Sequence, residues 1–319
     1  MLQDFLGAFF SAVAICLFSG PLMISFLRKL KFGQHVRADG PKAHLQKAGT
    51  PTMGGVMILL SLFIGLLFTG VSDFRLQMLF LTTLGFGIIG FLDDFIKIIM
   101  KRPLGLKARE KMLGQIIMAG VFTYVAVTYL GRGTELIIPG TALNFNLGWF
   151  YFPFAIFVLV GVVNAVNLTD GLDGLAAGIT IFTLLAYFLI AKTWALTDVS
   201  IFCAALLGST LGFLFFNIYP ARIFMGDTGS LALGGAIGAL AVLTKTELLL
   251  IILGGVFVIE TLSVILQVLY YKATGGNRLF LMSPLHHHFE LKGWSEQRVV
   301  FTFWTAAAIF AVLAVKIIL

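Results

Sequence analysis

The chain has 319 residues, of which 59% are hydrophobic and only 12% charged, where an ordinary soluble domain is about 25% charged. A soluble enzyme and a large extramembrane domain are excluded, because no polar stretch exceeds a long loop. The net charge of +7 reads as the basic bias of cytoplasmic loops, with no nucleic acid implied.

A membrane-spanning helix needs about 20 mostly apolar residues. Ten stretches qualify as predicted spans: 2–27, 53–70, 76–92, 112–130, 149–166, 175–191, 199–216, 229–244, 248–270 and 299–318. The expected fold is an all-α polytopic membrane protein in a single unit, 1–319. The first stretch is read as a span, since it lacks the basic start and small-residue cleavage site of a signal peptide. Cys16 and Cys203 lie inside apolar stretches and read as small buried hydrophobes. Of the 22 Lys and Arg, 17 fall in the loops 28–52, 93–111, 167–174, 217–228 and 271–298. The positive-inside rule makes these loops cytoplasmic and puts both termini outside. In the outer loop 131–148, Leu143, Phe145 and Leu147 alternate with Asn144 and Asn146, which predicts a short hairpin. No internal repeat is visible, which disfavours an ion-coupled transporter built from inverted halves.

The polar residues that abut these spans carry the chemistry. Lys47 precedes Thr50-Pro51-Thr52-Met53-Gly54-Gly55, which pins the start of the second span. Asp93-Asp94 closes the third. Adjacent helical residues point about 100° apart, so the two carboxylates need not share a role. Asp93 and Lys97 form an i,i+4 pair, yet that explains only one of two charges set beside hydrocarbon, where charge is expensive. Lys97, Arg109 and Lys111 follow as candidate phosphate ligands. In Asn164-Ala-Val-Asn167-Leu-Thr-Asp170-Gly-Leu-Asp173-Gly174 a polar residue recurs at every third position. A helix end breaking into a loop would let those side chains converge, whereas turn and cap formation would account for part of the pattern. Phe224-Met225-Gly226-Asp227-Thr228-Gly229-Ser230 opens the eighth span, where backbone N–H groups favour an anion. Asp227 would repel phosphate unless a cation lay between them. Carboxylates with phosphate and no cysteine ligand point to Mg²⁺. Glu260 lies mid-span with no cationic neighbour in its own segment. It reads as a proton relay, a packing contact or a protonated group, not as catalytic. In Ser283-Pro284-Leu285-His286-His287-His288-Phe289-Glu290 the histidines read as hydrogen-bond donors to a diphosphate or as organisers of the loop, since His is a poor Mg²⁺ ligand.

With these motifs in hand, the chain resembles the polyprenyl-phosphate N-acetylhexosamine-1-phosphate transferases from the first span to the last. Lys47-Ala-Gly-Thr-Pro-Thr-Met-Gly-Gly55 and Pro284-Leu-His-His-His-Phe-Glu290 resemble the phospho-N-acetylmuramoyl-pentapeptide branch. The resemblance implies transfer of phospho-MurNAc-pentapeptide from UDP-MurNAc-pentapeptide to undecaprenyl phosphate in a bacterial cytoplasmic membrane, giving lipid I for peptidoglycan and UMP. It also implies a homodimer and inhibition by nucleoside antibiotics. On motif match, Asp93, Asp94 and Asp227 are the expected catalytic residues, with Asp227 the Mg²⁺ ligand. Lys47, Thr52, Lys97, Lys111, Asn167, Asp170, Asp173, Phe224, His286, His287 and His288 are expected to bind substrate, Phe224 by stacking on uracil. The rival readings are transfer of another sugar phosphate, such as GlcNAc-1-phosphate, and ion-coupled transport.

Overall fold

The computed structural model describes residues 2–30, 49–100 and 105–318. Among them the chain forms α1 (Leu2–Lys29), α2 (Gly55–Leu67), α3 (Phe74–Ile99), α4 (Ala108–Thr128), β1 (Glu135–Ile137), β2 (Asn144–Asn146), α5 (Tyr151–Thr169), α6 (Leu175–Thr193), α7 (Thr197–Asn217), α8 (Gly226–Leu243), α9 (Leu250–Leu253), α10 (Gly255–Ala273), α11 (Leu285–Leu291) and α12 (Glu296–Ile318). Nine of the described helices are long and apolar enough to cross a membrane.

The predicted span 53–70 is the exception. It contains only the 13-residue α2, about 20 Å long at 1.5 Å per residue, against about 30 Å of hydrocarbon. Residues 51–54 are held out of the helix by a neighbouring strand of chain. The Phe224 N–H donates to the Pro51 carbonyl at 2.8 Å, and the Gly54 and Gly55 N–H groups donate to the Phe224 and Met225 carbonyls at 2.9 Å each. Met53 takes a left-handed φ of 73° to make the exit. An apolar run reveals burial but not such backbone pairing, which is why composition overestimated this helix. The predicted span 248–270 is likewise divided at Gly254 into α9 and α10.

Helix α8 forms the centre of the bundle, with α3 and α5 packed along it. Its sequence, GDTGSLALGGAIGALAVL, is built of small residues that let neighbouring backbones approach closely, as membrane helix packing requires. The start of α8, the ends of α3 and α5 and the start of α4 therefore lie at one end of the bundle.

The opposite end is closed by the predicted hairpin, in which Leu136 pairs with Phe145 and Glu135 with Asn146. Arg132 anchors it. Its Nε donates to the Val242 carbonyl at 3.0 Å, and its guanidinium pairs with Glu247 and covers the Tyr151 ring at 4.0 Å. The Tyr151 hydroxyl donates to the same Glu247 oxygen at 2.6 Å.

Candidate active site

The site is assembled where α3 ends against the start of α8. The first N–H groups of a helix have no partner within it. Here Asp94, from a different helix, satisfies two of them. Its Oδ1 accepts from the Asp227 N–H at 3.1 Å, and its Oδ2 accepts from the Thr228 N–H at 2.9 Å and the Thr228 hydroxyl at 2.7 Å. The carboxylate also lies at the positive end of the helix dipole. Two glycines permit this approach. Gly90, one turn before Asp94, packs directly against the Asp227 carbonyl, where a Cβ would collide. Gly226 adopts a φ of 72°, and a Cβ there would lie 2.6 Å from Asp94 Oδ2.

Gly90→Ala is accordingly expected to lower turnover about five- to a hundredfold, because the added methyl drives α3 and α8 apart at the reacting centre, an overpacking cost of about 1–3 kcal/mol. Initial rates of matched, folded protein are the check, and an unchanged rate would show that the α3–α8 contact is not critical.

Asp94 places Asp227, and Asp227 is the hub. Its Oδ2 accepts from the Lys97 and Lys111 ammonium groups at 2.9 and 2.8 Å, and its Oδ1 accepts from Asn167 Nδ2 at 2.9 Å. Asn167 also donates to the Ser230 hydroxyl at 2.8 Å. Asp93, about 100° around α3 from Asp94, faces the other side of the cluster. It pairs with Lys97 and accepts the Leu106 N–H at 2.9 Å. Thr52 is buried beside Gly226. One carboxylate oxygen each from Asp93, Asp94 and Asp227 lie within 4.8 Å of one another. Three carboxylates this close, two of them almost fully buried, repel one another, and Lys97 and Lys111 supply the compensating charge. The donor set is all oxygen, which suits a hard cation such as Mg²⁺ and not a thiolate- or imidazole-seeking metal.

The loop after α5 borders the cluster. Burial, followed by the charges of Asp227, Asp94 and Asp173, pushes the Asp170 carboxyl up to about 8. Asp173 instead organises the surrounding loops: its Oδ2 accepts the Ala221 N–H at 2.9 Å, and its own N–H donates to Glu296 Oε1 at 2.8 Å. The Phe224 ring is half-buried, and its backbone is tied to residues 51 and 54.

The three histidines face three different partners. His286 Nδ1 meets Glu260 at 3.1 Å, His287 Nδ1 meets Glu290 at 2.8 Å, and His288 Nδ1 accepts the Leu281 N–H at 3.1 Å. Lys47 lies outside the described residues. Sequence reasoning did not single out Thr228 and Ser230, although both sit within the first turn after Asp227, where a helix start signals such roles. Glu260 carried no signal of its histidine partner, which is 26 residues away.

Residues 76–245 match the model of Glycosyl transferase family 4, and residues 47–59 match the phospho-N-acetylmuramoyl-pentapeptide-transferase signature 1. Relatives that cover most of the chain carry the name phospho-N-acetylmuramoyl-pentapeptide-transferase. The one from Bacillus subtilis (strain 168) is 56% identical over 302 residues, covering 93% of this chain and 92% of the relative. That from Halalkalibacterium halodurans is 56% identical over 299 residues, covering 92% and 91%. That from Desulfitobacterium hafniense is 54% identical over 317 residues, covering 95% and 94%. Together with the nine long apolar helices, these bacterial relatives make the chain a multi-pass bacterial membrane protein. On sequence identity and motif together, it belongs to the phospho-N-acetylmuramoyl-pentapeptide transferase family.

Proposed function

We propose that this chain transfers phospho-MurNAc-pentapeptide from UDP-MurNAc-pentapeptide to undecaprenyl phosphate, forming lipid I and releasing UMP. The observation that supports this most is the Asp93–Asp94–Asp227 cluster, with Lys97 and Lys111, gathered at the ends of membrane-spanning helices. An oxygen of the lipid phosphate attacks the sugar-bearing phosphorus of the donor. The bond from that phosphorus to the bridging oxygen breaks, and UMP leaves with that oxygen.

The residues divide this work. Asp227, with Asp93 beside it, would hold Mg²⁺, which when bound neutralises the diphosphate as a Lewis acid. Lys97 and Lys111 then turn from Asp227 to the phosphate oxygens, exchanging one anion for another. Asp93 orients the lipid phosphate. A phosphate monoester is already largely ionised near neutral pH, its second pKa being about 6, so a single displacement needs little help from a base. Asp94 acts through Asp227, whose backbone it holds. Lys47, Thr52, Asn167, Asp170 and Phe224 take the nucleotide side and His287 and His288 the diphosphate and sugar side; Asp173 and His286 are buried in loop contacts.

The test is UMP release by purified protein given both substrates, with Mg²⁺ or with EDTA. Metal-dependent UMP and a new lipid product are expected. Turnover only with UDP-GlcNAc would move the chain to another branch, and no turnover with either donor would reopen the transport reading. A pH dependence follows from Asp170. Its raised pKa leaves it neutral below about pH 8, and an incoming cation favours its ionised form. Binding should therefore release a proton below that pH, so apparent Mg²⁺ affinity should rise with pH and level off above it. Calorimetry in two buffers of different ionisation enthalpy reads that proton, and a flat profile from pH 6 to 9 would exclude the linkage.

The same proposal puts the site at the cytoplasmic face on the strength of the basic loops, and both termini outside with the short α2 as a tenth crossing where the bilayer thins. A cysteine replacing the exposed Lys107 should then react with impermeant thiol reagents only from the cytoplasmic side. A detergent-corrected mass of two chains would support the homodimer.

A further inference from the structure

Outside the carboxylate cluster, one buried titratable pair has no task in the reaction as described. Glu260 and His286 are both fully buried. The Glu260 carboxylate takes two contacts from the same residue: the His286 N–H donates to Oε1 at 3.2 Å, and the His286 Nδ1 lies 3.1 Å from Oε2. An ionised Glu260 can only accept, which assigns the proton of this bond to Nδ1. The opposite ring nitrogen, Nε2, is buried without a hydrogen-bond partner. It presses against Gly171, so closely that a Cβ there would collide with it. Gly171 follows Asp170 in the loop that borders the cluster.

The chain is led to this contact by deliberate pairing. Beyond α10 it doubles back along the same helix. Gln267 Oε1 accepts the N–H groups of Leu279 and Phe280 at 3.1 and 2.8 Å, and Glu260, two turns earlier on α10, receives His286. An apolar contact would hold α11 against α10 without the cost of burying a charge. A carboxylate does something leucine does not: it fixes the tautomer and rotation of the imidazole, so that Nε2 faces one direction.

We propose that Glu260 is a positioning residue that acts through His286. It holds the His286 Nε2 edge against Gly171 and thereby sets the place of the Asp170 loop beside the reacting centre. This rests on the transfer reaction proposed above, and it gives Glu260 the role that its own segment does not reveal.

The test uses full-length protein in detergent with two readouts. The first is the imidazole nitrogen spectrum of protein labelled with [15N]histidine, His286 being assigned by its loss in His286→Asn. Glu260→Gln should shift the His286 Nδ1 signal. The second is UMP release. Glu260→Gln should lower kcat about 30-fold, on the scale seen when metal-bound histidines lose their orienting partner, with KM for UDP-MurNAc-pentapeptide within about twofold, the signature of a lost transition-state arrangement. The double variant Glu260→Gln/His286→Asn should be no slower than His286→Asn alone. Gly171→Ala keeps both side chains of the pair and displaces the His286 ring from the other side, so it should give the same kcat-selective loss. An unchanged His286 spectrum in Glu260→Gln would overturn the proposal. So would additive losses in the double variant, or lower thermal stability with normal kcat. If the unaltered protein releases no UMP, the reaction itself is wrong, and the spectrum alone decides whether Glu260 orients His286.

Discussion

Asp227→Asn is expected to abolish turnover, by about a thousandfold or more, while the protein stays folded. The loss equals about 4 kcal/mol of transition-state stabilisation. The substitution keeps the size of the side chain and an oxygen that can accept from Asn167 or a lysine. It removes the negative charge on which Lys97, Lys111 and the proposed cation converge. The backbone N–H of residue 227 still reaches Asp94, so the start of α8 is retained. Asp93→Asn and Asp94→Asn should also lose orders of magnitude, by different routes. The first weakens the contact with Lys97, and the second replaces an anion that accepts three hydrogen bonds with an amide. Initial rates of UMP release, paired with thermal unfolding of each variant, are the check. Normal activity in Asp227→Asn would sink the metal assignment.

Arg132→Ala should do the reverse, costing stability and sparing chemistry. Arg132 and Glu247 form an ion pair with side chains 1% and 0% exposed, and the Val242 carbonyl that Arg132 holds is about 22 Å along α8 from Asp227 at 1.5 Å per residue. Removing one partner of a buried pair costs about 3–5 kcal/mol, because the other charge is left without compensation. Burial already pushes the Glu247 carboxyl above the usual carboxylate range, with Arg132 the principal opposing influence. Without Arg132 that carboxyl would take up a proton. The hairpin would also lose its tie to the Val242 carbonyl. A large drop in unfolding temperature, with near-normal rate in the folded protein at low temperature, is the expected result. A lost rate in stable protein would couple this end of the bundle to the site.

The contrast between the two ends shows what a single chain makes legible. Asp93, Asp94 and Asp227 stand out in the sequence because charge beside an apolar run is expensive and must be justified. The hairpin at 135–146 was legible from the alternation of Phe145 with its neighbouring asparagines. The short α2 was not, because the backbone bonds that hold residues 51–54 come from Phe224 and Met225, far along the chain. Glu260 looked like an isolated charge for the same reason: its partner is on another element.

Composition and local pattern thus determined that the chain spans a membrane, where most of its spans lie and which family its motifs resemble, and they marked the candidates for its chemistry. These are properties of hydropathy and of short spacings, which act within one or two helical turns. The tertiary structure decided which carboxylate does what. Asp94 and Asp93 are neighbours in sequence, yet one holds the start of α8 and the other faces Lys97. That division depends on which helix packs against each face of α3, and it is Gly90, by admitting the Asp227 backbone, that brings α8 close enough for Asp94 to reach it.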